Sequence, residues 1–232
     1  MIGGISGRLA ACGVGVPELR PLPGAVTVAG FASGGAEALA WWYRLRAVHG
    51  HTGLWPVLTD GVALPGGDPA ARLAEAAELD GAEVLNPSGD TYELLDDMPW
   101  PDEPHRLDGF GFPYLRDGGP APVTVALVEA EHGWQVPALL NYGGFNDCPP
   151  PAVHGAVLRH WHEHYGAELV CLERSALELL LSRPPQTRAE ALAFAWEYTA
   201  YCADGADLYQ AEELPELAGS LLNAEVVRFW WD

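Results

Sequence analysis

Apolar residues follow two rhythms along the chain, short continuous runs and repeats at three- to four-residue steps, and their succession predicts strands and helices in turn. Residues 25–31 form an apolar run of strand length. After a glycine turn, Leu39, Trp42, Leu45 and Val48 recur at three-residue steps, which predicts a helix over 37–48 lying on a sheet. Residues 54–58 read as a second strand. Asp68-Pro69 then supplies an N-cap with proline at the first helical position, opening a helix through Leu79. Ahead of all this, residues 1–8 read as a Gly-rich stretch without an element.

The second half is equally patterned. Residues 123–129 and 134–140 are expected to pair as a hairpin around Glu131-His132-Gly133. A helix capped by Asn146 or Asp147 follows, with Val153, Val157, Trp161 and Tyr165 as its apolar stripe and Gly166 as its end. Strands over 167–172 and 176–181 precede the capping box Thr187-Arg188-Ala189-Glu190, which opens a helix to about Cys202. A helix over 213–222 and a strand over 225–231 complete the pattern. Trp161, Trp196 and Trp230 fall on apolar faces and are expected to be buried close together.

The fold class is therefore α+β, a mixed β-sheet packed with helices. A β-α-β-α region over 1–85 and a β-β-α-β-β-α-α-β domain over 123–232 form two sub-domains able to share that sheet. Between them, residues 86–122 are rich in proline and acid and read as an irregular connection.

Charge narrows the function classes. The 232 residues hold 32 Asp and Glu against 12 basic residues, a formal net charge of -20, so a phosphate backbone is repelled and nucleic-acid binding is disfavoured. Every basic residue is arginine, which excludes P-loop, Schiff-base and kinase-type lysine chemistry. Four dispersed cysteines form no C-x-x-C pair, and no apolar run is of membrane-spanning length. Leu9-Ala10-Ala11-Cys12 looks like a lipoprotein cleavage site but lacks the apolar segment such a signal needs, so a cytoplasmic protein is expected.

No cofactor is expected; zinc is the one with raw material, in Arg159-His160-Trp161-His162-Glu163-His164, and the simpler reading of that run is polar residues flanking a buried stripe of Val157 and Trp161. His160 and His164 share a helix face, whereas His162 is rotated from His160 by about 160°. A metal-assisted hydrolase would use that pair with a third ligand such as His154, Glu168 or Asp204. No G-x-S-x-G elbow is present. Glu197, Tyr201 and Asp204 are polar groups on an apolar helix, and with Asn146, Asp147 and Trp230 they could line a small-molecule site; a structural hydrogen-bond network is their simpler reading.

Several segments together carry a resemblance: 52–58 (TGLWPVL), 142–149 (YGGFNDCP), His160-Trp161, 165–168 (YGAE), Arg183-Pro184-Pro185, Glu197-Tyr198, Tyr201-Cys202-x-Asp204 and 229–232 (FWWD). Their order and spacing resemble the bacterial DUF4253 family, a domain of unknown function, most clearly from about residue 137 to the end. The resemblance implies no activity and no catalytic residues, and the histidine triplet is outside its pattern. The favoured expectation is a non-catalytic binding protein for a basic protein partner, on the logic of an immunity protein that neutralises a basic toxin. The acids of 90–108, notably Asp96, Asp97, Asp102 and Glu103, would supply the field, and Trp100, Phe110, Phe112 and Tyr114 the aromatic anchors.

Overall fold

A computed structural model describes residues 2–22, 28–60, 66–86, 99–111 and 123–232. One seven-stranded mixed sheet organises them: β1 (Arg20–Pro21), β2 (Val28–Ser33), β3 (Leu54–Thr59), β4 (Val123–Glu129), β5 (Ala167–Leu172), β6 (Ala176–Leu181) and β7 (Val226–Trp230), in the spatial order β1-β2-β4-β3-β5-β6-β7. β4 enters between β2 and β3, antiparallel to both, with Ala126 opposite Gly30 on one side and Val57 on the other. The strand that follows the acidic connection thus completes the sheet begun by the N-terminal region, and the α+β class holds. β3 and β5 run parallel, Leu58 opposite Cys171.

All six residues of β3 are buried, as a central strand covered on both faces requires. Pro56 is tolerated there because the register with β5 is made at Leu58 and Thr59, so no ladder bond is lost at the proline. The Trp55 indole bridges the gap instead, donating to the Leu169 carbonyl at 3.1 Å. Both sheet edges are closed to a further strand. β1 is two residues long and ends in proline. On β7, the Tyr209 hydroxyl accepts from the Arg228 N–H (3.1 Å), Tyr198 donates to the Arg228 carbonyl (2.6 Å) and the Cys202 thiol donates to the Trp230 carbonyl (3.0 Å).

The helices are α1 (Ile2–Ala11), α2 (Gly35–Ala47), α3 (His49–Thr52), α4 (Pro69–Glu78), α5 (Gly81–Leu85), α6 (Val136–Leu140), α7 (Pro151–Tyr165), α8 (Arg188–Tyr201) and α9 (Leu214–Leu221). Asp68 caps α4 through the Ala70 N–H, and the Thr187–Glu190 capping box opens α8, both as the sequence predicts. Residues 2–8, expected to carry no element, are helical. Ile5 and Leu9, one turn apart, are buried, and that packing outweighs the low helix propensity of the glycines. The expected hairpin partner over 134–140 is also corrected: a 3₁₀ turn at Gly133–Gln135 leads into α6. A short, wholly buried apolar run serves either element, and Pro137 in the first turn favours the helix. α7 begins after Pro150 rather than at Asn146 or Asp147, because Asn146 adopts a left-handed conformation (φ 44°).

The aromatic core differs from the expected tryptophan trio. Trp161 is completely buried, but Trp196 and Trp230 are half-buried. Trp161 instead stacks on Phe229 at 5.1 Å and meets Phe194 and Tyr201 edge-on at 5.5 and 5.0 Å. Strand parity explains the exchange, since Phe229 and Trp231 point to one face and Trp230 to the other. α5 crosses α7 closely at Gly81, where an added Cβ would lie 2.6 Å from the Ala156 carbonyl oxygen. Gly81→Ala is expected to destabilise by about 1–3 kcal/mol, measured as a lowered urea midpoint, because backbone rather than a movable side chain must yield.

Candidate functional site

α7, the 142–149 loop, α8 and the C-terminus meet around His154. His154 lies on the α7 face shared with Leu158 and Trp161, four and seven residues on, so the helix buries its ring with theirs. One ring nitrogen, Nδ1, hydrogen-bonds the buried Tyr201 hydroxyl, and the other, Nε2, lies 3.4 Å from the Cys148 thiol. Tyr142, Tyr201 and Trp231 surround the imidazole at 5.0, 5.5 and 5.5 Å between centroids. Gly143, at φ 97°, lets the loop pass over it, since a side chain there would overlap the Pro149 carbonyl and the imidazole. Asn146 donates to the Asp232 carbonyl and ties the loop to the chain end.

Burial fixes the protonation states of this cluster. It lowers the His154 pKa to about 3, partly offset by a hydrogen bond with the Pro149 carbonyl, so the imidazole is neutral. Burial also pushes Cys148 up to about 12, against a hydrogen bond from Tyr142 that lowers it, and Cys202 up to about 12. Tyr142 and Tyr201 are raised, again chiefly by burial. Both sulfurs are therefore thiols, and neither is a ready nucleophile.

His154 makes stability pH-dependent. Its folded pKa near 3 lies below the 6.5 of a free imidazole, so the unfolded chain takes up a proton that the folded chain refuses. The contribution is complete above about pH 6.5 and is lost as the pH falls toward 3. Glu173 works in the opposite sense. Burial, then Glu178 and Asp60, lift its carboxyl from 4.5 to about 7, so its contribution is present below 4.5 and lost as the pH rises through 7. In a Glu173→Gln background the urea midpoint is expected to fall between pH 7 and pH 5, and more shallowly when His154→Gln is added.

The second polar group of α7 faces α8. The Trp161 indole donates to Glu197 Oε2 at 2.8 Å, and His160 Nε2 lies 3.2 Å from Oε1. The His160 and His164 rings lie 4.2 Å apart, and His164 Nδ1–H donates back to the His160 carbonyl at 2.8 Å. His162 turns away to the Ala167 carbonyl. Among the described residues no three His, Cys, Asp or Glu side chains gather to hold a metal ion.

A third feature is the strap formed by residues 99–111. Pro101 and Pro104 rest on Gly219 of α9, where a Cβ would lie 2.6 and 3.1 Å from them. Arg106 donates to the Leu222 carbonyl at 2.6 Å. At the strap's end the Gly111 N–H donates to Glu178 Oε1 at 2.6 Å, the same oxygen that receives Arg228 Nε at 2.6 Å. Asp102, Glu103 and Asp108 face solvent, whereas Trp100 and Phe110 are half-buried against the core.

The family comparison falls on the part that holds the His154 cluster. Residues 124–232 match the model of the DUF4253 family, a domain of unknown function. No curated protein and no solved structure matches the chain. Within the DUF4253 region, the 142–149, 201–204 and 229–232 segments, far apart in sequence, all contribute to the wall around His154. The 52–58 segment lies before the matched residues and builds β3.

The expected binding residues are distributed rather than gathered. Tyr201 belongs to the His154 cluster, Glu197 to the Trp161 bond, and Asn146 to the chain-end tie. Asp147 is exposed, half-buried Asp204 opens the 3₁₀ turn Asp204–Tyr209, and Trp230 is half-buried. Asp102 and Glu103 lie on the strap, while Asp96, Asp97, Phe112 and Tyr114 lie outside the described residues. Among the described residues no helix is long and apolar enough to cross a membrane. As the centre of the cluster, His154 is absent from the expected binding set, although its four- and seven-residue spacing to Leu158 and Trp161 carries the signal.

Proposed function

We propose that the protein is a non-catalytic cytoplasmic binding protein whose acidic surface takes a basic protein partner, in the manner of an immunity protein. The carrying observation is where the arginines go. Arg8, Arg46 and Arg228 pair with Glu129, Glu168 and Glu178, and Arg72, Arg106, Arg159 and Arg183 donate to main-chain carbonyls. The few cations of a chain with net charge -20 are thus largely engaged in holding its own elements together. The strap displays Asp102, Glu103 and Asp108 on an anchored backbone, so a partner meets a fixed array and less ordering opposes binding. Four free cysteines suit a reducing compartment.

The test is binding to proteins encoded beside this one, before and after the combined change Asp96→Asn, Asp97→Asn, Asp102→Asn and Glu103→Gln. The association rate is expected to fall at least about tenfold at low salt while the melting temperature holds. Binding indifferent to the four changes removes the proposed surface.

A further inference from the structure

Between its anchors at Arg106 and Gly111, the strap lines one side of an open pocket of about 340 Å³. Leu107 and Gly109 of the strap line it together with Tyr209, Ser220, Ala224 and Val226. Two opposite charges line the same space, Arg106 from the strap and Glu225 from the turn before β7. Arg106 uses Nη1 for the Leu222 carbonyl and keeps its other N–H donors. The Glu225 main-chain carbonyl accepts from the Leu181 N–H at 2.7 Å, while its exposed side chain makes no hydrogen bond or ion pair with a described residue.

We propose that this cavity binds a free α-amino acid with an apolar side chain, its carboxylate on Arg106, its ammonium on Glu225 and its side chain against Leu107, Ala224 and Val226. The chemistry excludes the simpler ligand classes. A multiply charged anion would meet a single arginine in a chain of net charge -20, and a simple cation would meet that arginine's repulsion. A wholly apolar ligand would strip water from both charges without replacing it. A zwitterion satisfies both, and the volume lies within the range of small-molecule sites. This inference is separate from the basic-partner reading and stands or falls without it.

Calorimetric titration of the full chain with leucine, leucinamide and N-acetylleucine tests it. Leucine is expected to bind with a Kd of about 1 mM or tighter. Leucinamide, which lacks the carboxylate, and N-acetylleucine, which lacks the ammonium, should each bind at least about tenfold more weakly. Glu225→Gln, a change on an exposed side chain that leaves the fold intact, should weaken leucine by a similar factor, and Arg106→Gln should do the same even if the strap loosens. No leucine binding overturns the proposal. So does equal binding of the three probes, or leucine affinity unchanged in Glu225→Gln protein with an unchanged melting temperature.

Discussion

Truncating Trp161 to alanine is expected to destabilise the protein by about 3–5 kcal/mol, the largest loss of any single core change here. The indole is completely buried between Phe229, Phe194 and Tyr201, so its removal opens a cavity bounded by rigid aromatic rings from α8 and β7 that cannot collapse into it. The change also takes the N–H donor from Glu197, a half-buried carboxylate that then relies on His160. Trp161→Phe should cost clearly less, because it keeps most of the ring stack and loses the hydrogen bond. Urea unfolding of the two variants checks this, and a loss below about 1 kcal/mol for the alanine variant would contradict the packing described.

Glu178→Ala is expected to cost a comparable amount, about 3–5 kcal/mol, for an electrostatic reason. Glu178 is 2% exposed and Arg228 16%, so removing the carboxylate leaves a guanidinium in low dielectric without its counter-charge. The same oxygen accepts the Gly111 N–H, so the strap loses its terminal anchor as well. If charge rather than packing is responsible, replacing both Glu178 and Arg228 by leucine should recover much of the loss. Denaturant unfolding of the single and double variants distinguishes the two, since a double variant as unstable as Glu178→Ala would assign the cost to packing.

Much of the sheet is legible because its strands are short apolar runs bounded by glycine, proline or caps. β3 to β7 and the α4, α7 and α8 helices follow directly from such signals. α6 does not, since Val136–Leu140 is buried on every side and carries no period to separate helix from strand. α1 is hidden by its glycines, and tertiary contacts in the folded chain stabilise it, the burial of Ile5 and Leu9 and the bonds of Arg8 to Glu129 and the Thr52 carbonyl. The tryptophan pattern misleads by one position in β7, because two adjacent tryptophans do not state which of them faces inward. The His154 cluster is legible only as recurring polar and aromatic residues in separate segments. Their convergence depends on β7 lying beside β6 and on the Asn146 tie to Asp232, long-range geometry that local pattern does not contain. Strap anchoring is hidden for the same reason, as Gly111 meets Glu178 across a separation of 67 residues.

The most direct test of the acidic-surface account is the association rate constant with any basic protein encoded beside this one, measured by stopped flow across a range of ionic strength. Arginines largely bonded to the protein's own groups and an outward acidic strap predict a fast association at low salt whose logarithm falls steeply as salt is added. A rate constant that stays flat from low to high salt, or the absence of any complex with those proteins, would contradict it.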